Sequence, residues 1–170
     1  MQNKKTAYLA QAAMIAALYV VLTYVFAPIS FREVQVRVAE ALTILPVFTP
    51  AAVPGLFVGC LLGNLLGGAL IPDVVFGSLA TLIGAVFTRK LRNASPWLAP
   101  VPPILSNTLI VPFVLRYAYA IELPVPLMML TVCIGEIVSC GVLGMLLYYT
   151  LQKRKDYIFQ KQNQTDSGQE

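Results

Sequence analysis

The sequence predicts an all-α integral membrane protein, a bundle of six helices. Three observations carry that prediction. Of the 170 residues, 58% are hydrophobic and only 12% charged, against about 25% charged in a soluble domain, and the mean hydropathy is +0.74. The apolar residues fall in long runs separated by charged or proline-rich breaks. The basic residues stand at the ends of those runs and not on one soluble face. This is the pattern of membrane orientation, so the net charge of +4 does not argue for nucleic acid.

The first helix is expected from Thr6 to Ala27, after Lys4 and Lys5 and before Pro28. Such a run extends about 33 Å, enough for the hydrocarbon core. It is too long for a cleavable signal peptide and leads into more spans. Ala12 and Ala16, and Ala13 and Ala17, make two overlapping small-xxx-small pairs. They read either as plain helix propensity or as a docking face for a partner helix. Next, Ile29 to Glu40 is amphipathic, with Arg32, Glu33, Gln35, Arg37 and Glu40. Alternating Val34, Val36 and Val38 allow a short extended piece. A second helix, from about Val36 to Thr49, is short and interrupted by Pro46, with Pro50 beyond.

Val53 to Arg92 supplies the third and fourth helices, with a hinge at Pro72–Asp73. Gly55, Gly59, Gly63 and Gly67 recur every four residues and form a stripe without side chains. It suits close helix packing in lipid, or a close approach of backbone to ligand. Trp97 in the following proline-rich connection suits an interfacial anchor. A fifth helix is expected from Pro103 to Tyr117, containing Ser106, Asn107 and Pro112, and a sixth from Leu127 to Leu151, containing Glu136. Residues 1–152 then form one six-span substrate-binding domain, and residues 153–170 a polar cytoplasmic tail.

Six spans place both termini on one side. Nine of the twelve basic residues fall there, and only Arg32, Arg37 and Arg116 fall on the other. The positive-inside rule puts both termini in the cytoplasm of a cell-membrane protein. The same topology gathers the polar residues toward the external half. Glu136 lies about 13 Å into the sixth helix, where a carboxylate must face the bundle interior or water, with Ser139 and Cys140 on its face. Asn64, Asn107 and Glu136, with Arg37, Glu40 and Asp73, are candidates to line one externally open pocket. Against this, Glu136 also reads as a structural partner of Arg37 or Arg116, and Asp73 as a helix N-cap. Phe31, Phe76, Tyr117 and Tyr119 are candidate stacking faces, or interfacial anchors.

The chain has no phosphate-binding GxxxxGK[ST] loop, no histidine, and three cysteines without a CxxC pair. No metal-ligand set, cofactor or catalytic centre is predicted. Six spans are few for a transporter built from inverted repeats. A binding subunit that borrows a motor fits best.

QVRVAEALTILP (35–46), VPGLFVGCLLGNLLGG (53–68) and PDVVFGSLATLIGA (72–85) resemble the QueT family, the substrate-binding S components of energy-coupling factor transporters for queuosine precursors. The similarity runs from Ala10 to Leu151. It implies an S-component-like six-helix fold that binds a 7-deazaguanine-type base on the external side. It also implies docking on a transmembrane coupling protein driven by two ATPase subunits, which would use the ATP. The alanine motif that contacts the coupling protein in S components corresponds to Ala12, Ala13, Ala16 and Ala17. For the ligand, Glu136 or Glu40 would accept from the ring N–H and exocyclic amine, and Asn64 or Asn107 would address the carbonyl. The rival expectations are an S component for another vitamin or small heterocycle, a membrane enzyme acting on lipid or isoprenoid through Glu136 and Asp73, and a structural or pore-forming homo-oligomer packed through the glycine stripe.

Overall fold

The first helix, α1 (Gln2–Val25), turns Leu9, Met14, Leu18 and Val21 outward and buries Ala16 and Tyr19. In this computed structural model residues 2–26 and 37–153 are described. Val34 and Val36 of the expected extended piece, the side chains of Phe31, Arg32 and Glu33, and the tail beyond Lys153 lie outside them, whereas Val38 of that piece begins a helix. Every regular element among the described residues is helical. The others are α2 (Val38–Val47), α3 (Ala52–Leu66), α4 (Ile71–Lys90), α5 (Val101–Tyr117) and α6 (Val125–Lys153). Short 3₁₀ turns at Leu91–Asn93 and Pro96–Leu98 join α4 to α5.

Four segments are long and apolar enough to cross a membrane: Lys4–Val25, Ile71–Asn93, Pro96–Tyr117 and Val125–Lys153. The other two helices are shorter. The ten residues of α2 are wound as a 3₁₀ helix, which rises about 2.0 Å per residue and so covers about 20 Å. That is less than the hydrocarbon thickness of about 30 Å. Ala39 through Ile44 of α2 are all buried, and the helix touches α1, α3, α4 and α6. A helix buried on every side is a core element. Leu42 of α2 packs with Tyr19, Leu56, Cys60 and Ala85 from α1, α3 and α4, and Ile44 packs with Ala99, Met145 and Tyr148.

The glycine stripe faces α1. A Cβ on Gly55 would lie 2.7 Å from the Ala12 carbonyl oxygen, one on Gly59 2.7 Å from Tyr19 Cβ, and one on Gly63 3.1 Å from Thr23 Oγ1. The contacts rise in the same order along both helices, so α1 and α3 are parallel, and α2 returns between them. Gly55, Gly59 and Gly63 of the stripe are therefore spent within the chain, and Gly67 is the C-cap of α3.

The break between α3 and α4 falls earlier than the Pro72–Asp73 hinge expected from the sequence. Gly68 adopts φ 79°, and the Ala69 N–H donates to the Asn64 carbonyl at 2.9 Å. This is the 6→1 bond of a glycine-terminated helix end. Pro72 sits inside the first turn of α4, where its missing N–H costs nothing.

Two ends of the bundle are tied differently. At one end, Arg89 donates to the Pro46 and Val47 carbonyls at 3.0 and 3.2 Å, and Thr88 to the Ala99 carbonyl at 2.9 Å. Phe48 packs on Tyr148 there, with ring centroids 5.2 Å apart. At the other end Arg37, Leu70, Asp73 and Tyr119 meet.

Candidate functional site

A carboxylate can sit in the middle of an apolar bundle only where donors from several helices reach it. Glu40 is such a case. It is wholly buried on α2. Tyr19 Oη from α1 donates to its Oε1, as does Thr81 Oγ1 from α4 at 3.2 Å. Oε2 has no hydrogen-bond partner. Beside it stands Glu136 of α6, whose Oε2 accepts from the Cys140 thiol at 3.2 Å. Thr43 closes the layer, with its hydroxyl on the Glu40 carbonyl at 2.6 Å and 3.4 Å from Cys140 Sγ. Asn107 of α5 is within reach of both carboxyl groups, yet its Nδ2 and the nearby buried Ser139 Oγ have no partner.

The helix that carries Glu136 changes its winding here. From Ile137 to Leu143 it is π-helical, a widening often found where side chains serve a site. It presents Ser139 and Cys140 inward together.

One turn toward the other end lies a second layer. Arg37 Nη2 approaches Asp73 Oδ1 and Oδ2 at 3.4 and 3.3 Å, and Tyr119 Oη donates to Oδ2 at 3.1 Å. The Leu70 N–H in turn donates to Tyr119 Oη at 3.2 Å. Gly77 makes this convergence possible. A Cβ there would stand 3.0 Å from Asp73 Oδ1 and 3.2 Å from Asn64 Nδ2. Asn64 also donates to Cys60 Sγ at 3.5 Å, and Cys60 Sγ lies 3.4 Å from Thr81 Oγ1, so the two layers are linked.

All six residues singled out from the sequence, Arg37, Glu40, Asn64, Asp73, Asn107 and Glu136, are at most 6% exposed. They face one another across α2, α3, α4, α5 and α6, and none faces outward. Three pairings differ from expectation. Arg37 pairs with Asp73 and not with Glu136. Arg116 donates to the Ile121 carbonyl at 3.1 Å. Asp73 is not the N-cap of α4: that position is Leu70, without a side-chain bond, and Asp73 lies in the first turn, where the helix dipole also favours a negative charge.

The aromatic candidates separate in the same way. Phe76 and Tyr117 are exposed and, with Pro72, Leu109 and Phe113, line an apolar groove of about 390 Å³ on the outside of α4 and α5. Tyr119 belongs to the Asp73 layer. The aromatic inside the cluster is Tyr19, which the sequence reading missed. Its signal was its place three residues after Ala16, on the face that meets the glycine stripe.

A metal-ligand set, unexpected from the sequence, also comes together. One carboxylate oxygen each from Glu40 and Glu136 and the Cys140 sulfur lie within 4.8 Å of one another. Two hard oxygens and one sulfur match no single metal preference, and the same oxygens serve equally as acceptors for N–H donors. The alanine pairs divide. Ala12 and Ala16 pack against α3, whereas Ala13 and Ala17 are exposed.

Comparison with known proteins places this arrangement. No solved structure matches the chain. A curated relative, "Queuosine precursor transporter QueT" of Lactococcus lactis subsp. cremoris (strain MG1363), is 27% identical over 168 residues, covering 92% of this chain and 98% of that protein. The family model described as QueT transporter matches residues 9–153. It spans all six helices and both polar layers, and members of this family are transporters and not enzymes. The chain belongs to the QueT transporter family.

Proposed function

We propose that the chain is the membrane-embedded substrate-binding subunit of an energy-coupling factor importer, and that it captures a queuosine precursor with a 7-deazaguanine-type base. The observation that carries this reading is the Glu40–Glu136–Asn107 cluster, where the buried Glu40 Oε2 and Asn107 Nδ2 atoms lack hydrogen-bond partners. Buried polar atoms without partners are rare in folded proteins and are what a polar ligand would satisfy. The carboxylates would accept from N–H donors of the base, and the Asn107 amide would donate to the ring carbonyl.

In this reading the end bearing Lys4, Lys5, Arg89, Lys90, Arg92 and Lys153 is cytoplasmic by the positive-inside rule, with both termini there, and the Asp73 end is external. The two short helices cross within the bundle, making six passes. The energising partners, a coupling protein and two ATPase subunits, would consume the ATP. Docking would use the exposed Ala13 and Ala17, since α3 occupies Ala12 and Ala16. Ala13→Leu with Ala17→Leu should then abolish ATP-driven uptake while leaving binding intact.

The test is a ligand-stabilisation screen of the detergent-purified protein. A ligand present at 100 times its Kd adds about 2.7 kcal/mol of stability. Stabilisation by 7-deazaguanines is the expected result. Stabilisation by another heterocycle or vitamin alone would assign the subunit to a different cargo.

A further inference from the structure

The central cluster contains more acceptors than one ring N–H requires. Glu40 Oε1 is occupied by Tyr19 and Thr81, but Oε2 is unpartnered. Among the described residues Glu136 accepts from the weak Cys140 thiol donor, with the Asn107 amide within reach. Arg37, a cation that acts on both carboxylates at longer range, makes its hydrogen bonds to Asp73. A ligand reaching this cluster meets two neighbouring acceptors on different helices, one on α2 and one on α6.

An amino nitrogen that donates both hydrogens at about 2.9 Å each reaches two acceptors up to about 5 Å apart. One oxygen of Glu40 and one of Glu136 lie inside that reach, within 4.8 Å of each other. We infer that Glu40 and Glu136 bracket a single exocyclic amino group of the ligand, each accepting one of its two hydrogens, so that this amine is the specificity-determining group. The assignment rests on the proposed base-binding function and deepens it. The alternative within that function is an edge-on contact. There one carboxylate takes the ring N–H and one amine hydrogen, and the second amine hydrogen is unused.

The two arrangements predict different responses to small changes in the ligand. The probes are 7-deazaguanine, its N2-methyl derivative and 7-deazahypoxanthine, titrated against the detergent-purified full chain by calorimetry. Bracketing predicts that loss of the amine weakens binding by at least about 100-fold, because two buried acceptors are left facing no donor. It predicts about 10-fold weakening by the single methyl group, which removes one hydrogen and crowds its acceptor. Equal binding of the methylated and parent bases would overturn the bracket and leave the base-binding reading standing. Failure of all three bases, with binding of an unrelated heterocycle, would overturn both. A second arm uses Glu136→Ala. It removes one side of the bracket, so the parent and methylated bases should bind alike in that variant, and persistence of the discrimination would overturn the assignment.

Discussion

Two groups of buried acids share this bundle, and they are treated in opposite ways. Asp73 is surrounded by donors: Arg37 approaches both of its oxygens, and Tyr119 donates to one of them. Glu40 and Glu136 lie side by side, with a Glu40 oxygen and an Asn107 amide that have no hydrogen-bond partner. Burial is nearly complete in both groups, so depth does not distinguish them. Donor supply does. A saturated acid fixes helices α2 and α4 and the α5–α6 connection to one another. An undersupplied pair holds the bundle less well and is ready to accept hydrogen bonds from something that enters.

The largest expected effect tests the saturated side. Arg37→Met leaves Asp73 buried without its cation and should destabilise the protein by roughly 3–5 kcal/mol, as broken buried pairs do. Adding Asp73→Asn should recover most of the loss, because no lone charge then remains. Thermal unfolding in detergent reads both, and a double variant no more stable than the single would break the distinction. The next effect tests the undersupplied side. Glu136→Gln removes repulsion as well as an acceptor charge, so stability should stay within about 1 kcal/mol of wild type. Affinity for the base should fall by about 1.5–3 kcal/mol, the range for a hydrogen bond to a charged group. A large stability loss with unchanged affinity would make Glu136 a structural acid like Asp73.

A third variant asks whether the packing stripe supports the undersupplied layer. Gly59 sits where a Cβ would be 2.7 Å from Tyr19 Cβ, and Tyr19 is a donor to Glu40. Gly59→Ala should cost about 1–3 kcal/mol by overpacking and should also weaken ligand binding by displacing Tyr19. Gly55→Ala meets the Ala12 carbonyl at 2.7 Å, away from the cluster, and should cost stability with little effect on affinity. Equal loss of affinity in both would sever the link between the stripe and the site.

Much of this was legible in the sequence for a physical reason. A carboxylate or amide alone in an apolar run, such as Glu136, Asn64 or Asn107, must turn inward in lipid, so its direction follows from its environment. The glycine period announced a helix contact for the same reason. The donors that serve Glu40 were not legible. Tyr19 and Thr81 are ordinary residues of apolar helices, and only the register of α1 and α4 against α2 selects them, whereas Cys140 follows from helical spacing to Glu136. The 3₁₀ winding of α2 was hidden too, since it reflects burial on all sides more than local propensity. The α3–α4 hinge was placed late because Pro72 looks like a break. It is harmless within a first turn, and Gly68 alone supplies the left-handed residue that ends α3.

The smallest effect sharpens the saturated side further. Tyr119 lies in the connection between α5 and α6, with its hydroxyl bonded to Asp73. Its phenol is pushed above the ordinary tyrosine range, first by partial burial and also by the neighbouring Asp73 charge, while the Leu70 N–H works the other way. A group whose folded-state value is raised holds its proton more tightly when folded. Its contribution is therefore complete below the ordinary tyrosine value of about 10 and is lost as pH rises through the raised folded value. Tyr119→Phe should cost about 1 kcal/mol at neutral pH, the net worth of such a hydrogen bond. The gap between wild type and variant should close as the solution is made strongly alkaline, because an ionised phenolate cannot donate to Asp73 and repels it. Parallel unfolding measurements across that range read the gap directly. A gap that stays constant through the alkaline limb would mean that Tyr119 acts by packing alone, and that Arg37 by itself saturates Asp73.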